Sequence, residues 1–279
     1  MVRPEIILCD LDGVVWLGGT PIAGSVAAVA RLRASGRRVV FVTNSSAVTI
    51  AEHTAVLAAV GIEATGDVIS SATAAAALIE PGQRVLVCGG RGVTEAVQAA
   101  GATAVAGDDD AGAAGGIDAV VVGLHREFDY HRLHLAASAV RLGARFIATN
   151  LDPIYPTVNG PTPGGGAIAA AVATASGGVP VTAGKPHPPM AKAVRAMVGE
   201  PGETEQQLAA RVVMIGDQVS TDGLFAVELG CRFALVRSGN TAPGAPVDLL
   251  PAYDAADLAG ATVMILAGST PTVAVAAPR

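Results

Sequence analysis

The constraint that decides the fold is an alternation. Short runs of β-branched and other apolar residues recur along the chain, each followed by an Ala- and Leu-rich stretch long enough for a helix. Strands apolar on both faces that alternate with helices build βαβ units, in which helices cover a parallel sheet. Residues 5–10 (EIILCD) read as the first such strand and 25–35 as a helix stopped by Gly36. Residues 38–43 (RVVFVT) are the second strand, 49–60 a helix ending at Gly61, 68–70 a short third strand, and 72–79 an Ala-rich helix. Pro81-Gly82 is a turn signal. A second α/β series follows it: strand 84–88, helix 93–100, strand 119–122, helix 130–142 and strand 145–148. A Pro/Gly-rich loop over 152–166 then leads to a helix over 167–175. Past Gly177-Gly178 the first pattern resumes, with helix 190–198, strand 211–215, helix 224–229 and strand 232–236. The expected architecture is α/β: a Rossmann-like parallel-sheet core of residues 1–81 and 183–268, an inserted α/β domain of 82–182, and a flexible tail of 269–279.

Composition narrows the function. With 279 residues there is enough chain for two cores, and with aromatics at 3% those cores must be built from Ala, Val, Leu and Ile. A net charge of -6, and no Lys/Arg cluster beyond Arg37-Arg38, argue against a nucleic-acid partner. The three cysteines, Cys9, Cys88 and Cys231, form no CxxC motif or paired framework, which suits a reducing cytosol. A cytoplasmic location is expected, because the N-terminal stretch shows no signal-peptide apolar region. Two stretches without charge, 153–184 and 258–278, are broken by Gly, Pro, Ser and Thr. Neither has the roughly 20 unbroken apolar residues that span a bilayer, so no membrane partner is expected.

In open parallel sheets ligands bind at the carboxyl ends of the strands. The first strand ends in Asp10 and Asp12, the second in Thr43-Asn44, and the late strand in Gly216-Asp217, with Asp222 five positions on. Gly184-Lys185-Pro186 lies where the chain returns from the insertion. Several carboxylates in one crevice repel unless a cation or proton compensates, and hard oxygen ligands suit magnesium better than zinc. A metal and a lysine together attract a dianionic phosphate. A carboxylate can then attack phosphorus to give an aspartyl-phosphate. Residues i and i+2 of an extended strand share a face, so Asp12 can give a proton to the leaving oxygen and afterwards activate water.

Taken singly, each of these residues has a plainer reading. Asp after a buried strand is often a turn or cap residue, Thr43-Asn44-Ser45-Ser46 could be a helix N-cap, and Lys185 a solvated lysine. Their order and placement together reverse that balance. Other features stay plain: His53, His131 and His134 read as surface or satisfied histidines, and Asp108-Asp109-Asp110 as a solvated loop. Gly89-Gly90-Arg91-Gly92 is an isolated Gly-rich turn. Trp16 fits the core or the edge of the site. Pro163-Gly164-Gly165-Gly166, before a helix, would let an anion approach the helix N-terminus.

The ordered set Asp10-x-Asp12-Gly13-Val14, Thr43-Asn44-Ser45, Gly184-Lys185-Pro186 and Gly216-Asp217-x4-Asp222 resembles the haloacid dehalogenase superfamily. More narrowly it resembles the branch of nagD-like, 4-nitrophenylphosphatase-like and phosphoglycolate phosphatases, in which an α/β cap sits between the threonine and lysine motifs. Gly123-Leu124, Thr149-Asn150-x-Asp152, Pro163-Gly164-x-Gly166 and Lys185-Pro186-x-Pro188 match further. The resemblance spans about residues 5 to 240 and implies a Mg2+-dependent phosphatase of small phosphorylated metabolites. By it, Asp10 is nucleophile and metal ligand, while Asp12 is general acid/base and gives its backbone carbonyl to the metal. Thr43 and the Asn44 backbone hold phosphate oxygens, Lys185 neutralises them, Asp217 completes the metal site, and Asp222 orients Lys185 or metal-bound waters. Asn150, Asp152, Gly164 and Gly166 are the expected cap contacts to substrate, and a dimer through the cap is the expected assembly.

Two positions depart from the family pattern: His125 stands where the family commonly has Asp after Gly-Leu, and Ser45 where it has Asn. The alternative functions are a haloacid dehalogenase, which needs neither Asp12 nor Asp217, and a catalytically silent phosphate-binding protein. A phospho-accepting receiver domain would place its acidic pair first in the chain rather than last.

Overall fold

The structure, a computed structural model, describes residues 4–114, 116–155, 160 and 162–268; the expected tail at 269–279 lies outside them. In chain order the elements are β1 (Ile6–Cys9), the hairpin strands β2 (Trp16–Leu17) and β3 (Thr20–Pro21), α1 (Ser25–Ala34) and β4 (Arg38–Thr43). There follow α2 (Ile50–Ala59), β5 (Val68–Ser70), α3 (Ser71–Ala76), β6 (Arg84–Cys88), α4 (Arg91–Ala99), β7 (Thr103–Ala106) and α5 (Asp110–Ala114). Next come β8 (Ala119–Val122), α6 (Tyr130–Arg141), β9 (Arg145–Ala148), β10 (Ile154–Tyr155), β11 (Thr162–Pro163), α7 (Gly165–Ser176) and β12 (Val181–Thr182). The last are α8 (Pro188–Val198), α9 (Glu205–Arg211), β13 (Val212–Gly216), α10 (Leu224–Leu229), β14 (Arg232–Val236), β15 (Tyr253–Ala255) and α11 (Leu258–Ala267). No helix among the described residues is long and apolar enough to cross a membrane.

The chain forms two compact units, one running up to Val40 and resuming at Pro201, the other spanning Phe41–Glu200. In the first, β15, β14, β13 and β1 lie in that order with every pair parallel. The start of β4 continues the sheet, where the Arg38 N–H donates to the Glu5 carbonyl at 2.9 Å. β1 and β13 are buried at every position, as strands covered on both faces must be. Helix α1 packs against α11, with Gly24 allowing a close approach to Ala259.

In the second unit the end of β4 pairs in parallel with β5, Phe41 opposite Val68 and Thr43 opposite Ser70. A five-stranded parallel sheet in the order β12-β9-β8-β6-β7 occupies the middle of the chain. Its core is aliphatic: Leu86, Val120, Val122 and Val172 are buried, with Phe146 the single ring among the buried residues of that cluster. Helix α2 starts as a capping box, the Thr49 Oγ1 accepting from Glu52 N–H while the Glu52 carboxylate accepts from Thr49 N–H.

Three strand boundaries bear on function. β1 stops at Cys9, β4 at Thr43 and β13 at Gly216, so Asp10, Asn44 and Asp217 are each the first residue beyond a strand. The strand expected over 5–10 is therefore shorter at both ends. The helix expected over 72–79 ends at Ala76, and residues 77–79 close by turn-type bonds to Thr73, Ala75 and Ala76. β7, β12, β15, α5, α9, α11 and the two hairpins have no counterpart in the periodicity reading. α9 nonetheless opens with a Thr204/Gln207 capping box legible in the letters.

Leu8 is fully buried in the middle of β1. Leu8→Ala should lower stability by about 2–5 kcal/mol, read as a lower urea midpoint at unchanged slope. A loss below about 1 kcal/mol would show the packing around β1 to be looser than described.

Candidate active site

In the first unit the chain leaves β1 and doubles back. The Asp10 N–H still donates to the Ile215 carbonyl at 2.9 Å, but the Leu11 carbonyl then accepts from Val15 N–H at 2.8 Å and Trp16 N–H at 3.2 Å. Gly13 makes this reversal possible, with φ at +80°, a region costly for any residue with a Cβ. A Cβ there would also strike the Asp217 carboxylate, 2.6 Å from its Cγ. Gly239, from the loop after β14, packs against Gly13 beside the same carboxylate, its would-be Cβ 2.7 Å from that Cγ and 2.7 Å from the Gly13 Cα. The buried Asp217 carboxylate thus sits against two neighbouring glycines and accepts from the Asn240 N–H at 2.5 Å. Its carbonyl accepts from the Thr241 hydroxyl at 2.6 Å, and the Ser238 hydroxyl donates to the Gly13 carbonyl at 2.7 Å.

Asp222 is fully buried, in a π-helical turn at Val219–Gly223, and its Oδ2 accepts from Gln218 N–H at 3.2 Å. π-turns are rare and gather at functional sites. One carboxylate oxygen each from Asp10, Asp217 and Asp222 lies within 4.8 Å of the others, the one such group of acid, His or Cys ligands among the described residues. Three carboxylates this close, two of them buried, need a compensating charge. All-oxygen donors fit a hard divalent ion of the magnesium or calcium type. Asp222, expected outside the metal's own ligands, is geometrically part of the cluster. Asp12 faces another partner: its Oδ1 accepts from the Trp16 indole N–H at 3.0 Å.

In the second unit Asn44 is a hub. Its Oδ1 accepts from the Lys185 N–H at 2.8 Å, and its Nδ2 donates to the Lys185 carbonyl and the Asp152 carboxylate, both at 3.1 Å. Its own carbonyl accepts from the Asn150 amide and the Ser71 hydroxyl, both at 2.7 Å. Thr43 is buried beside it, the Oγ1 accepting from Ser45 N–H at 3.0 Å. Lys185 is buried and precedes a cis proline, Pro186. The structure therefore brings Thr43, Asn44, Asn150, Asp152 and Lys185 together. Asp152 and Asn150 point their side-chain bonds at Asn44 and its loop.

Gly164 and Gly166 fill a packing role. A Cβ on either would run into the backbone of residues 151–154, which the first turn of α7 approaches closely. Gly90 and Gly92 likewise abut the Ala47 and Val48 backbone. His53 is buried with Nε2 3.4 Å from the Ser45 carbonyl, and burial holds its pKa below the ordinary imidazole range. His125, at the end of β8, is half-buried with an unpartnered Nδ1; burial, then the Arg132 charge, push its pKa down. Arg132 bonds Asp129 at 2.8 Å and Asp108 at 2.5 Å, so part of the expected solvated acidic loop is ion-paired.

Sequence reasoning missed the loop Ser238–Thr241 and the Trp16 bond. The strand-end rule, applied to β14, would have found the loop. Nothing in the letters announces the indole's aim.

Comparison with known proteins agrees with this geometry. Residues 7–103 match the model of the haloacid dehalogenase-like hydrolases, and residues 182–264 a HAD-hydrolase-like model. The chain is 38% identical over 240 residues to a D-glycerol 3-phosphate phosphatase of Mycobacterium tuberculosis, covering 84% of this chain and 63% of that protein. The chain thus spans somewhat less than two thirds of that relative. It is 33% identical to phosphoglycolate phosphatase 2 of Arabidopsis thaliana, covering 85% of this chain and 84% of the relative. The crystal structure of the Mycobacterium tuberculosis glycerol phosphate phosphatase in complex with magnesium superposes with a TM-score of 0.79 at 32% identity, covering 93% of this chain and 77% of that one.

Gly13→Ala should displace the Asp217 carboxylate and weaken divalent-cation binding by about tenfold or more, some 1.4 kcal/mol, in titration calorimetry. Gly19→Ala, at φ +85° with nothing within 4 Å of its Cβ, should bind the cation as the parent does. Equal affinities for the two variants would contradict this account of the pocket.

Proposed function

The chain belongs to the haloacid dehalogenase-like hydrolases, and we propose that it is a magnesium-dependent phosphatase of small phosphorylated metabolites acting through Asp10. The observation that carries this reading is the cluster of Asp10, Asp217 and Asp222 beyond the carboxyl ends of β1 and β13. All-oxygen donors suit magnesium or calcium, and a related phosphatase is described in complex with each; magnesium is the ion that the sequence resemblance implies. Held by the Asp10 and Asp217 carboxylates and the Asp12 carbonyl, the ion would neutralise charge on the acids and on the phosphate. Asp222 would hold this end of the site in place.

The reaction needs little from the protein beyond positioning and charge. An Asp10 oxygen attacks phosphorus as the bond to the leaving oxygen breaks. Asp12 gives that oxygen its proton and becomes a carboxylate. It then takes a proton from water, whose oxygen attacks the aspartyl-phosphate and releases Asp10. Lys185 neutralises the phosphate, and Thr43 with the Asn44 N–H donates to its oxygens. The Asn44 side chain is engaged with Lys185 and Asp152, which supports a backbone role for Asn44 in holding phosphate. The same bonds make Asp152 a brace for that loop.

The proposed division is a core of residues 1–81 and 183–268 with a cap of 82–182. In support, all five strands of the second sheet fall between Arg84 and Thr182. The cap would choose the substrate, since the core groups reach only phosphate and metal. Relatives named for glycerol 3-phosphate and phosphoglycolate favour a small phosphorylated polyol or acid.

Phosphate release from 4-nitrophenyl phosphate should require magnesium, stop in EDTA, and fall by at least about 10³-fold in Asp10→Asn, the loss expected of a nucleophile. Asp12→Asn should lower turnover by about 10²–10⁴-fold while metal affinity in calorimetry changes little. Turnover by Asp10→Asn near the parent rate would overturn the aspartyl-phosphate route, and a panel of phosphorylated metabolites would identify the leaving group.

A further inference from the structure

Trp16 is the only tryptophan in the chain. It is 6% exposed as a residue, and its indole N–H donates to Asp12 Oδ1 at 3.0 Å. The backbone fixes the donor as firmly as the burial does. The Gly13 N–H donates to the Trp16 carbonyl at 2.7 Å, Leu11 holds the Trp16 N–H, and Asp12 and Trp16 are bridged across the turn. β2 then carries Trp16 straight into its pairing with Pro21. A side chain with two χ angles, buried in its body and pinned at both ends of its backbone, has little freedom to point elsewhere.

We propose that Trp16 is a positioning residue for the reaction, aiming the Asp12 carboxyl so that Oδ2 is the oxygen that delivers and recovers the proton. This rests on the reading of Asp12 as general acid and base. An indole N–H is a donor only. Once protonated, an oxygen of a carboxyl is the weaker acceptor of the two, so the indole bond to Oδ1 favours the proton on Oδ2. Loss of the indole bond removes one observed restraint on χ2, a broad torsion for Asp, and the proton is less often placed at the leaving oxygen. The cost falls on the step that needs the proton. A leaving group that departs readily as an anion, such as 4-nitrophenolate, needs little proton transfer, whereas an alkoxide needs it fully.

The test is a series of phosphate monoesters from 4-nitrophenyl phosphate to an alkyl phosphate, followed by kcat/KM, which reports the steps up to loss of the leaving group. Trp16→Phe should leave 4-nitrophenyl phosphate within about twofold and lower the alkyl ester by about tenfold, part of the 10²–10⁴ that a general acid supplies. The dependence on leaving-group pKa then steepens. A uniform loss across the series would show a merely structural role and overturn the proposal. Asp12→Asn separates the two readings. A steepened series in Asp12→Asn with an unchanged one in Trp16→Phe overturns the Trp16 role alone. Unchanged series in both overturn the Asp12 reading and the inference with it. Should Trp16→Phe fold poorly, Asp12→Ala supplies a second measurement: the resonance Raman band of the single indole N–H should move to its non-bonded position. An unmoved band overturns the proposal.

Discussion

Repulsion among Asp10, Asp217 and Asp222 is the condition under which the rest of this protein is built. Their oxygens lie within 4.8 Å of one another, and two of the three residues are buried. Left to themselves such groups separate or take up protons. Two neighbouring parallel strands end beside each other, and the residues that follow them are tied down by backbone bonds, so separation is hindered. Glycines 13 and 239 pack together against the Asp217 carboxylate, and the Asn240 N–H meets it. A divalent cation is the compensation that the geometry leaves available, and an anionic phosphate is what a cation so placed attracts.

The second unit solves a different problem, that of holding a buried lysine in a defined place. Lys185 is bonded through its own backbone N–H and carbonyl to the amide of Asn44. Asn150 and Ser71 grip the Asn44 carbonyl, and Asp152 takes its remaining amide hydrogen. Every hydrogen-bonding group of the Asn44 side chain is thus spent on structure. Asn150 and Asp152 thereby brace the loop, and Gly164 and Gly166 let the first turn of α7 approach the backbone of residues 151–154. The half-buried His125 keeps an unpartnered ring nitrogen in the same unit.

The two aspartates of the first motif stand in different surroundings. Asp10 belongs to the acidic cluster, whereas Asp12, one turn further, receives an indole hydrogen bond. The turn that follows them holds Gly13 at positive φ, so the motif's glycine shapes the loop as much as its acids do.

Much of this was legible in the letters. Apolar runs such as IILC and VVMI can be satisfied only by strands buried on both faces, and polar residues at their carboxyl ends follow from the rule that such sheets bind ligands there. Asp10, Asp12, Thr43, Asn44, Lys185, Asp217 and Asp222 could all be named from those two arguments and from their order. Short or weakly patterned elements could not: β12 has two residues and β7 reads TAVA, too little for periodicity to register. The tertiary structure alone decided that Asp222 joins the acidic cluster, that Asn44 faces Lys185 and Asp152, and that Trp16 aims at Asp12. These are matters of angle and distance between residues up to 212 positions apart in the chain, from Asp10 to Asp222. Residue type and spacing specify which groups stand at strand ends, because hydrophobic burial sets the strands. Which of those groups meet is set by turns such as that at Gly13, whose geometry no pattern of apolar residues encodes.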